Sequence, residues 1–146
     1  MSYRNIATPI LFIFLSIPQL VQGQEEESVI TSVISGYIEN FFVNDYVKME
    51  SNLHADLSKR GINPDGALSD NYSKADLRKL MENKPPLPLS KQLNTIRDIK
   101  IHNRVATAVL ETGYPNTRWK EYIHLIMLDG KWIIADVMWC FDKIED

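Results

Sequence analysis

Residues 121–139, "EYIHLIMLDGKWIIADVMW", contain the strongest hairpin signal in the chain. Two runs rich in β-branched and aromatic residues flank Asp129-Gly130. That dipeptide suits a two-residue hairpin turn, because the turn's central positions need positive φ. With a two-residue loop, Leu128 pairs with Lys131 and the ladder runs back to Tyr122 opposite Val137. One face then carries Tyr122, His124, Ile126, Ile133, Ala135, Val137 and Trp139. The other carries Glu121, Ile123, Leu125, Met127, Trp132, Ile134, Asp136 and Met138. Both are apolar along most of their length, whereas an antiparallel sheet with one wet face alternates cleanly. The hairpin is therefore expected to be covered on both sides, by helices on one and by a pocket, a second subunit or both on the other.

Upstream of this hairpin, "NTIRDIKIHN" and "RVATAVLET" show the same alternation, joined tightly at Asn103, and "ETGYPNT" links them to the final pair. Before Pro88 the period is helical. Over residues 25–43, Val29, Ile30, Val33, Ile34, Tyr37, Ile38, Phe41 and Phe42 recur as adjacent pairs every four positions, which predicts a long amphipathic helix. Glu25, Glu26 and Glu27 at its start suit the positive end of the helix dipole. A break at Asn44-Asp45 precedes a short second helix with Tyr46, Met49 and Leu53 on one side. Ser73 and Asp76 form a capping-box-like pair opening a third helix, whose buried face is Leu77, Leu80 and Met81. "NKPPLPL" stops it, since proline lacks the donor and clashes with the preceding turn. Helices followed by a meander of antiparallel strands make an α+β domain with the helices on one face of a curved sheet.

The chain has 146 residues, 45% hydrophobic and 24% charged, a globular balance with room for one domain. Residues 1–23 are read apart from it. Arg4 precedes the apolar run "IATPILFIFLSIPQLV", and Val21 and Gly23 flank Gln22, the order of a secretory signal cleaved after Gly23. As a membrane anchor the run is short and carries Pro9 and Pro18. The expected location is secreted or periplasmic, with residues 24–146 as a single mature domain and no stable membrane association after cleavage. Cleavage removes only Arg4 from a net charge of −3, leaving −4. A mildly acidic domain without a basic run offers no face for nucleic acid or anionic lipid. The single cysteine, Cys140, permits no internal disulfide. Among aromatics on a strand it is expected to be a small buried hydrophobe rather than a nucleophile.

Three segments carry a resemblance: "VISGYIENFFVNDYVKMESNLHADLSKRGINPDG", "ATAVLET" and the final hairpin. The chain resembles the family named putative lumazine-binding, within the nuclear transport factor 2-like superfamily that includes polyketide-cyclase-like members. Members usually have His-Pro after the second helix, where this chain has His54-Ala55. The resemblance implies three N-terminal helices on a strongly curved antiparallel sheet, forming a cone with an internal cavity and dimerising through the outer sheet face. It implies a small-molecule ligand without naming one. The superfamily includes isomerases, dehydratases and cyclases as well as binding and interaction modules, so fold alone does not choose among them.

His54 is placed at the end of the second helix, as a general base or as a cation capping the helix terminus. Lys59 and Arg60 are an anion clamp or a solvated pair. Asp136, inside an apolar strand, is a proton-transfer group with a pKa raised by burial or a structural acceptor. His124 on the neighbouring strand is a core or interface residue, or a second proton carrier. Tyr37, Tyr122, Trp132 and Trp139 are cavity walls or dimer contacts. No His/Cys/Asp cluster has metal spacing, no Gly-rich phosphate loop occurs and no serine elbow is present, so no metal or cofactor is expected. The expectation is an exported, cofactor-free, homodimeric small-molecule-binding domain. The alternatives are an isomerase, dehydratase or cyclase using Asp136 or a histidine, and a dimeric interaction module.

Overall fold

The computed structural model describes residues 17–142, with side chains described from Gly23 onward. The basic and apolar parts of the expected signal, residues 1–16, lie outside the described residues. Helix α1 (Ile17–Phe42) is continuous across Gly23. Among the described residues, no helix is long and apolar enough to cross a membrane. From α1 the side chains of Ile30, Ile34, Tyr37, Ile38 and Phe42 are buried, which is the stripe the four-residue period implied. Asn44 ends the helix in the left-handed conformation (φ 62°) that a terminating residue often takes. Asp45 then caps α2 (Tyr46–Glu50) through the Lys48 amide.

Here the structure departs from the sequence reading. Leu53 and His54 are not helical; they open strand β1 (Leu53–Ile62). Leu53 follows Met49 at the four-residue spacing of a helix, but it pairs with Ile134 on β5; the strand is irregular between Leu53 and Ser58, and Leu53 and Leu57 are both buried. Past it, burial alternates: Leu57, Lys59 and Gly61 point in, while Ser58 and Arg60 face outward between them. Helix α3 (Lys74–Glu82) starts with the full reciprocal capping box of Ser73 and Asp76 and buries Leu77 and Met81. A short 3₁₀ turn (Leu89–Lys91) leads into the meander of β2 (Thr95–His102), β3 (Val105–Tyr114), β4 (Thr117–Leu128) and β5 (Lys131–Phe141).

The five strands form one curved, unclosed sheet in the order β1-β5-β4-β3-β2. It is mixed rather than purely antiparallel, because β1 pairs parallel with β5. Asp129 and Gly130, both with positive φ, make the two-residue turn between β4 and β5, with Leu128 opposite Lys131. The ladder shifts by one residue between His124 and Leu125, where Ala135 is the extra residue on β5. Tyr122 therefore lies opposite Met138, not Val137, and side-chain direction reverses along half the strand. Trp132, Ile134, Val137 and Trp139 all point into the helix-covered side, while Asp136, Met138 and Cys140 face away. Cys140 is exposed, contrary to its expected burial. The core fills the space between α1, α3 and the inner residues Ala106, Ala108, Leu110, Ile123, Leu125, Ile134 and Val137.

Candidate functional site

The inner side of the sheet is filled by apolar side chains near the hairpin turn, but at its other end a cavity of about 260 Å³ opens between α1, α3 and the sheet. Its walls are aromatic: Tyr37, Tyr72, Tyr114, Trp119, Trp139 and Phe141 all border it. Trp119 and Trp139 each meet the Phe141 ring edge-on, at 6.2 and 5.2 Å between centroids. Rings held by such contacts keep their orientation with few soft torsions.

At the cavity wall lies a charged group that an apolar pocket would not contain without purpose or compensation. Glu121, on the inner face of β4, is 1% exposed. Its carboxylate accepts three hydrogen bonds: from the Lys59 ammonium at 2.5 Å, from the Trp119 indole at 2.9 Å and from the Tyr37 hydroxyl at 3.1 Å. Lys59, itself 8% exposed, enters from β1 and packs its ammonium 5.6 Å from the Tyr37 ring centroid. Burial pushes the Lys59 ammonium below its ordinary pKa, against the opposing pull of the Glu121 charge. Burial first and the Glu121 charge second push the Tyr37 phenol well above its ordinary value, so it stays a donor. A buried ion pair of this kind stands only when its remaining lone pairs and protons are satisfied. The carboxylate is satisfied by three donors. Among the described residues the ammonium donates only to Glu121, and the Trp139 indole N–H is buried without a partner.

The residues singled out from the sequence divide. Tyr37 and Trp139 border the cavity. His54 lies on β1 away from it, its ring nitrogen accepting from the Asp56 amide at 3.1 Å, so it caps no helix. Arg60 points outward next to Lys59, as strand alternation requires. Trp132 is buried on the inner face near the hairpin turn and does not border the cavity. Asp136 is the clearest displacement: it pairs with His124 at 2.9 Å on the outer face, their side chains 38% and 54% exposed. The Ala135 bulge puts Asp136 there, away from the cavity. Tyr122 shares that outer face and is 54% exposed. Lys59 and Glu121 carry the polar centre instead. Among the described residues no group of His, Cys, Asp and Glu could hold a metal ion.

Residues 25–140 match the family described as "Putative lumazine-binding". The chain belongs to this family. No curated protein matches it significantly. Among solved structures it is similar to an NTF2-like protein of unknown function from Shewanella baltica, at 21% identity, 83% of this chain, 97% of that one and a TM-score of 0.73. An NTF-2 like protein of unknown function from Silicibacter pomeroyi gives 15% identity, 82% and 98% coverage and a TM-score of 0.74. One from Methylobacillus flagellatus gives 25% identity, 82% and 94% coverage and a TM-score of 0.70. These likenesses carry the α+β fold of the nuclear transport factor 2-like superfamily.

Proposed function

We propose that this family member is an exported small-molecule-binding domain whose ligand enters the aromatic cavity and meets the Lys59–Glu121 pair. The observation that carries the reading is the buried ion pair bordering open space. A purely structural core of this size would be filled by apolar side chains, at less desolvation cost than a buried lysine and glutamate. A concave, mostly apolar pocket with a few convergent polar groups is the usual form of a ligand site. At about 260 Å³ it suits a ligand smaller than a typical drug. The family description, "Putative lumazine-binding", agrees with a small organic ligand.

Export rests on the order of charges and apolar residues in 1–23, and dimerisation on the apolar side chains of the outer sheet face. There Tyr122, Val105 and Met138 are 54%, 51% and 41% exposed. Native mass spectrometry of the undenatured protein tests the binding reading. The expected result is a small-molecule mass released on denaturation, or, for protein stripped of ligand, stabilisation by members of a small-molecule library that is lost when Leu77→Trp fills the cavity. Bare protein mass, with no compound in the library stabilising it, would overturn the reading.

A further inference from the structure

The ligand's chemical class follows from counting which hydrogen-bonding groups in the cavity are already used. This inference rests on the binding reading above and deepens it. Three charged side chains border the space: Lys59, Lys84 and Glu121. Glu121 is engaged by three donors, so the inward-facing carboxylate is occupied. Lys59 has three ammonium protons and places one on Glu121, leaving two. Lys84 holds its ammonium 4.6 Å from the Tyr114 ring centroid at the exposed side of the cavity, bringing the local charge to +1. What the cavity lacks is therefore one negative charge. The aromatic walls determine the rest of the ligand, because flat rings in edge-on contact leave a space that another flat apolar body fills best.

We infer that the cavity takes a small planar aromatic acid in its anionic form, the carboxylate meeting the two spare Lys59 protons and the ring lying among Trp119, Tyr114 and Phe141. A carboxylate supplies acceptor lone pairs for charge-assisted bonds to an ammonium, which no neutral isostere matches. A cation would face two ammonium groups with only an engaged carboxylate to oppose them.

Titration calorimetry of the purified protein with three probes of matched shape separates the alternatives: 2-naphthoate, the neutral 2-naphthamide and the cationic 2-naphthylmethylammonium. The expected order is naphthoate over naphthamide by about tenfold or more, the step one charged hydrogen bond supplies, with the cation weakest. In Lys59→Met/Glu121→Gln, which removes both buried charges together, the naphthoate-to-naphthamide ratio should fall towards one. If that interior change prevents folding, Lys84→Gln at the exposed side should still lower the ratio. Equal affinity for acid and amide, or a preference for the cation, would overturn the anionic assignment and leave a ligand cavity standing. Failure of all three probes to bind at millimolar concentration would overturn the aromatic-acid assignment, while the binding reading stands or falls on the native mass and library result above.

Discussion

Lys59 and Glu121 set the energetics at the level of single residues. Removing one member of a buried pair leaves the other charged and uncompensated, so Lys59→Met should lose about 3–5 kcal/mol in denaturant unfolding. Lys59→Met/Glu121→Gln should lose markedly less, because both charges go; equal losses would mean the pair is not coupled. Tyr37 gives a pH signature. Its folded pKa is raised above the ordinary 10.0, so the folded state holds the phenol proton more tightly than the unfolded chain. That contribution is fully present below about pH 10 and is lost as pH rises towards the raised value. Unfolding measured from about pH 8 to 11 should show wild type declining more steeply above 10 than Tyr37→Phe; parallel curves would contradict the burial of that hydroxyl. Of these residues only Tyr37 and Trp139 were legible as cavity walls, since large aromatics on a strongly patterned face must be buried. Lys59 was legible only as half of an anion clamp or of a solvated pair with Arg60, not as the partner of a buried acid. Glu121 was not legible, because it stands beside Lys120 at the polar start of an apolar run. Only the three-dimensional convergence of β1, β4 and α1 shows that one acid has three donors.

Among the elements, α1, α3 with its capping box, and the β4–β5 turn were readable from period, cap and turn chemistry alone. Two irregularities were not. At the start of β1, Leu53 follows Met49 at the four-residue spacing of a helix, and only pairing with β5, distant in sequence, makes the segment a strand. The Ala135 bulge inserts one residue where period-two reading assumes none, which sends Asp136 to the outer face and Val137 and Trp139 to the inner one. Gly61 shows how tightly β1 depends on that arrangement. A Cβ there would lie 2.1 Å from the Trp139 carbonyl oxygen and 2.3 Å from its indole ring, so the residue must be glycine for the strand to pass beneath Trp139. Gly61→Ala should therefore destabilise the protein by at least about 1–3 kcal/mol and alter Trp139 fluorescence. An unchanged melting temperature would show that β1 does not pack against β5 in this register.

For the whole molecule, the architecture is a helix-covered sheet with one inner cavity and one outer face bearing exposed Tyr122, Val105 and Met138. If that outer face joins two copies, light scattering at micromolar concentration should give twice the chain mass, and Tyr122→Glu should shift it to monomer by placing a charge in an apolar contact. A monomeric wild type would contradict the dimer. The cavity makes the more specific demand, and the three tryptophans supply a test with its own control. Trp119 and Trp139 border the cavity, whereas Trp132 is buried near the hairpin turn. The most direct measurement is a two-dimensional ¹H–¹⁵N spectrum of the indole N–H groups during titration with 2-naphthoate. The bound ring should shift the Trp119 and Trp139 indole signals, whose rings border the cavity, and leave Trp132 in place. Movement of Trp132 alone, or of the backbone amides of outer-face Tyr122 and His124 with the Trp119 and Trp139 indoles unmoved, would contradict it.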